Sequence, residues 1–144
     1  MLQNLAVGSG LVALTVLVHT VGLILVAATI PLLARWLGFH NHGVGRTLAM
    51  TGTVLGILGI LTLEVWGWAV AYVLLDVTRD LADALYLSTA MFSTLGYGEI
   101  RIAPAWRLLT ALEGINGFLM IGWSTAFLVA AATRHGPFRQ GEHF

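Results

Sequence analysis

Near the middle of the chain stands Ser93-Thr94-Leu95-Gly96-Tyr97-Gly98-Glu99, a run of hydroxyl, alternating glycines and a terminal acid. Glycine opens backbone angles closed to other residues. Two of them in alternation can turn successive carbonyls to the same side. A row of carbonyl oxygens facing an axis replaces the water shell of a small cation. The chemistry on offer is therefore coordination without bond-making, by the main-chain oxygens of Thr94, Leu95, Gly96 and Tyr97 and the hydroxyl of Thr94. Just before this run, Ala84 to Phe92 is apolar and rich in helix formers. Asp80 suits the cap of a helix starting at Leu81, and Asp83 falls in its first turn, where a negative charge is favoured. A helix over 81–92 aims its negative pole at the place where the carbonyls would gather. Together these features describe a cation filter.

Such a filter needs elements to hold it. A helix over 81–92 is about 18 Å long, too short for the roughly 30 Å of bilayer hydrocarbon, so it should dip in and return. Non-helical backbone at that depth is tolerated only inside protein or along a water-filled cavity. The composition supplies the surroundings. Of 144 residues, 58% are hydrophobic and 10% charged, and mean hydropathy is +0.86. A soluble domain averages about 25% charged residues; this chain has too few to cover a water-soluble globule, and it lacks the net charge of a disordered one. An integral membrane protein remains. The net charge of +0 gives no basic footprint for nucleic acid, and the absence of cysteine excludes disulfides and thiolate chemistry.

Three apolar runs are long enough to span. The first is an additional N-terminal transmembrane helix within 1–34; Pro31 should kink its last turn or end it. With no Arg or Lys among residues 1–10, it reads as a retained helix and not as a cleaved signal. Residues 35–46 form a polar connector. Residues 47–133 form the core, with an outer helix over 47–75, the short helix over 81–92, the filter over 93–99 and an inner helix over 105–133. Residues 134–144 are a short polar tail. The expected fold is all-α: three transmembrane helices plus a re-entrant helix and loop. Most of the 17 glycines are expected to serve close helix packing.

Thr94-Leu95-Gly96-Tyr97-Gly98-Glu99 resembles the Thr-Val-Gly-Tyr-Gly-Asp signature of potassium channels, with Leu95 for the usual Val or Ile and Glu99 for the usual Asp. Leu95 still offers a carbonyl, and Glu99 keeps a charge at the outer mouth on a longer stem. The resemblance covers roughly residues 48–133 and implies a two-transmembrane pore-domain plan, to which the first helix is an addition. It implies potassium ions held at Thr94, Leu95, Gly96 and Tyr97. Tyr86 falls where the family often has an aromatic residue supporting the filter, and Trp106-Arg107 resembles the pair that starts the inner helix. Gly117 falls near the family's gating-hinge glycine. In that register Phe118, Ile121, Thr125 and Val129 should face a central cavity, along one helical stripe. Because the family's filter is built from four chains, the resemblance also implies a homotetramer with its pore on the axis. The implied setting is the cell membrane, with filter outside and C-terminus cytoplasmic. Charge favours this by one residue: Arg35, Arg46, Arg134 and Arg139 inside against Arg79, Arg101 and Arg107 outside.

Other polar residues stand at membrane depth. Glu113 is expected to brace the filter from behind, to place negative charge in the cavity, or simply to join helices. Some family members carry an acid on the pore helix where this chain has Ala90. His19 and Glu64 could pair, as a proton sensor or a static interhelical bond. Asn116 reads as another polar contact. Trp66, Trp68 and Tyr72 read as aromatic belt or packing. His40-Asn41-His42 is a weak metal signal beside that of a solvated connector. Asp76, Asp80, Asp83 and Glu99 could gather cations at the outer mouth. No span carries the paired histidines of a haem site or a matched nucleophile and base, so no enzyme and no cofactor beyond filter potassium is expected. The leading function is a passive cation channel, potassium-selective, in contact with lipid and monovalent cations; the alternatives are a non-selective cation channel or a non-conducting structural subunit.

Overall fold

The computed structural model describes residues 2–36, 43–96 and 100–135. Among them are four α-helices: α1 (Leu2–Trp36), α2 (Gly43–Leu74), α3 (Leu81–Phe92) and α4 (Arg107–His135), with a 3-10 turn at Pro104–Trp106 leading into α4. No strand occurs among the described residues. The helices α1, α2 and α4 are long and apolar enough to cross a membrane. α3, at 12 residues, is not. This is the all-α membrane fold expected from the sequence.

Asp80 has extended backbone, and its carboxylate accepts the Ala82 N–H at 3.1 Å, which starts α3 at Leu81. The 3-10 turn opens on Pro104, a position where the missing N–H costs nothing. Two expected boundaries shift. α1 does not end at Pro31 but runs on to Trp36. Ending the helix there would free the backbone groups of a whole turn in lipid, whereas a proline within it leaves about one bond unmade. The outer helix starts earlier than expected, at Gly43, and takes up part of the connector.

The chain packs as two compact units. One comprises α1 as far as His19 together with Leu61–Ile121. Its core is Trp68, Ala69, Tyr72, Ala84, Leu87, Phe92, Leu109 and Met120, with Val7, Leu11 and Val12 of α1 packed against it. Here α1 and α2 run antiparallel in a defined register, for Thr15 meets Trp68 and His19 meets Glu64. Gly8 lies so close to α4 that an added Cβ would come within 2.6 Å of the Leu112 side chain.

The other unit comprises Thr20–Ile60 and the chain from Gly122 on. Leu23, Val26, Ile57 and Ile60 are buried in it. Glycine alternates with bulk across the contact: Gly22 faces Ile60, Gly56 faces Val26 and Gly52 faces Ile30. Small residues of this kind let membrane helices approach closely.

Candidate functional site

α3 ends in a tight reversal. The Ser93 N–H donates to the Thr89 carbonyl at 3.0 Å, the Thr94 N–H to Met91 at 3.0 Å and the Gly96 N–H to Ala90 at 3.1 Å. The backbone turns left-handed at Thr94 (φ 61°) and again at Gly96 (φ 55°). For glycine this is free; for a β-branched threonine it is a conformation the surrounding structure must impose. Three of the last carbonyls of α3 are thus met by amides of the chain that follows. Leu95 is 59% exposed. Tyr97, Gly98 and Glu99 lie outside the described residues, as do His40, Asn41, His42 and the end of the tail.

Behind α3 lies a buried polar knot. Glu113 of α4 is fully buried. Its Oε2 accepts from the Tyr72 hydroxyl of α2. Its Oε1 accepts from the Ser88 hydroxyl of α3 at 2.5 Å. Ser88 Oγ also lies 2.9 Å from the Val65 carbonyl. One carboxyl thus ties three helices at a point six residues ahead of Thr94. Glu113 faces the packed interior of the chain, and both its oxygens are engaged.

Gly117 is buried, and a Cβ there would run into the carbonyl of Phe92, the last residue of α3. Its glycine is required by close approach of α4 to α3, whatever it does as a hinge. Phe118, Ile121, Thr125 and Val129 are exposed on this single chain, whereas Glu113, Asn116 and Met120 are buried. Tyr86 is also exposed.

Asn116 corrects its expectation. It is 2% exposed, yet neither its amide nitrogen nor its oxygen has a partner among the described residues. His19 and Glu64 do pair, with Nδ1 and Oε1 2.9 Å apart and both side chains fully buried. Trp68 and Tyr72 are buried packing residues, and Trp66 is exposed. The partners of Glu113 were missed in the sequence. The available signal was chemical: a tyrosine or serine hydroxyl buried in a span must find an acceptor. Among the described residues no cluster of three or more His, Asp or Glu could hold a metal ion.

A short apolar helix set between two spanning ones, closing on a left-handed glycine turn, is the arrangement of a membrane pore. The family model described as an ion channel matches residues 58–134, over half of the chain. The chain belongs to this ion channel family. No curated protein and no solved structure matches it. The matched span contains α3, residues 93–99 and nearly all of α4, and leaves α1 outside.

Proposed function

We propose that this ion channel conducts potassium passively through a homotetrameric filter, each chain lending the carbonyls of Thr94, Leu95, Gly96, Tyr97 and Gly98 and the Thr94 hydroxyl. The observation that carries this reading is the placement of the Thr94-Leu95-Gly96 backbone. It follows directly on a helix too short to span, within the part of the chain that matches an ion channel. Ions shed water, bind the backbone oxygens and advance by mutual repulsion. Four chains are needed because one chain brings one filter segment, and a lone protomer would leave carbonyls in lipid. Glu99 lies at the outer mouth, and Phe118, Ile121, Thr125 and Val129 line the cavity. The exposure of these four on the single chain accords with that place. Glu113 braces the pore helix through Ser88. In this topology the filter and N-terminus are outside and the C-terminus is cytoplasmic. The Asn4 side chain donates to the Ala105 carbonyl, which sets the start of α1 on the same side as the start of α4.

Leu95, bulkier than the usual Val, favours a second reading: the same pore with weaker discrimination between potassium and sodium. Potassium efflux from proteoliposomes tests the first claim. Wild type should release potassium down its gradient. Gly96→Ala should not, because alanine in the left-handed region costs about 1–2 kcal/mol at each of four positions. A silent wild type overturns the reading.

A further inference from the structure

We infer that α1, the helix outside the matched span, bears on the pore helix through a buried run of side chains, Thr15–Trp68–Tyr72–Glu113–Ser88, which makes Thr15 and Trp68 positioning residues for the filter.

The run starts with a hydroxyl that both donates and accepts. Thr15 Oγ1 donates to the Leu11 carbonyl at 2.9 Å and accepts from Trp68 Nε1 at 3.0 Å. An indole N–H buried in a membrane protein must have an acceptor, and here α1 provides it. That bond fixes the plane of Trp68, which is 1% exposed. The Trp68 and Tyr72 rings stand 6.3 Å apart between centroids, tilted by 56°, within the range of attractive aromatic contact. Tyr72 then donates to Glu113, and Ser88 of α3 donates to the other oxygen of the same carboxyl. All five residues are buried, so water cannot replace a lost link.

Register makes the contact specific. One turn along both helices, His19 pairs with Glu64, so sliding α1 by a turn breaks two buried polar contacts at once. A helix serving only as an anchor would need apolar packing alone. The functional consequence rests on the filter reading above; the mechanical coupling does not.

The test uses the full chain in lipid nanodiscs and liposomes, with Thr15→Val, Thr15→Ser, Ser88→Ala and the double variant Thr15→Val/Ser88→Ala. Amide hydrogen exchange is followed over Leu85–Phe92, and the decline of potassium current under constant drive is followed in parallel. Thr15→Val, of nearly the same shape, should speed exchange in α3 about five-fold, the worth of one hydrogen bond, and hasten current decline. Thr15→Ser should restore both. The double variant should exchange more slowly than the product of the two single effects, as linked sites do. Exchange unchanged in α3 with Thr15→Val, or strictly multiplicative effects, overturns the inference. If wild type carries no current, the filter reading fails while the exchange results still decide the coupling. Should Thr15→Val not assemble, Trp68→Phe removes the same bond from the other side and carries the same expectations.

Discussion

The Ser88 Oγ of α3 stands 2.5 Å from Glu113 Oε1 of α4 and 2.9 Å from the Val65 carbonyl of α2. A hydroxyl has one proton and two lone pairs. It can give its proton to Glu113, or turn it to Val65 and accept from whatever stands at position 113. Glu113→Gln is therefore expected to be tolerated, with its amide donating to Ser88 and its carbonyl oxygen accepting from Tyr72. Glu113→Ala leaves the Tyr72 hydroxyl unpaired beside a void and should cost about 2–4 kcal/mol. Denaturation midpoints in detergent compare the two; equal losses would contradict the bracing geometry.

Tyr72→Phe removes one donor to Glu113 and keeps the ring against Trp68. The expected loss is about 1–2 kcal/mol, that of one buried hydrogen bond to a charged or strongly polar partner. The same denaturation assay reads it, and in a Glu113→Leu background, where the Tyr72 hydroxyl is already unpaired, the loss should vanish or turn into a gain.

Gly117→Ala should be far more damaging than a helical Gly→Ala exchange at an open position. Its Cβ would meet the Phe92 carbonyl, and main chain cannot swing aside as a side-chain tip can. Gly10, with nothing near, is the control, and alanine there should be neutral or mildly stabilising. Potassium efflux per assembled protein should fall at least about ten-fold in Gly117→Ala, a barrier of about 1.4 kcal/mol, and remain unchanged in Gly10→Ala.

Breaking the His19–Glu64 pair from one side strands the other group in the interior. His19→Leu alone is expected to destabilise by about 3–5 kcal/mol, and His19→Leu/Glu64→Leu by much less. A double variant as unstable as the single one would show that the pair is not the relevant contact.

The sequence made some of this legible and hid the rest for physical reasons. The bounds of α3 were readable because an acid cap, an apolar run and a glycine turn follow one another locally. The three spans were readable from composition and length. Which face of each span packs was not, because lipid and protein both accept apolar side chains and the usual amphipathic signal is missing. Thus Glu113 stood out as an acid at depth, while Tyr72, 41 residues away, could not be assigned to it without the helix register. Asn116 shows the opposite failure: residue type promised a polar contact that none of the described residues provides. Pro31 signalled a kink or an end in the last turn of α1; the helix does not end there but continues to Trp36, because in lipid freed backbone groups find no solvent.

The most direct measurement is the reversal potential of the purified protein in a planar bilayer with potassium on one side and sodium on the other. A value close to the potassium equilibrium potential is the expected result for ions stripped of water and held by main-chain oxygen. A reversal at zero, or a membrane that stays silent with assembled protein present, would contradict it.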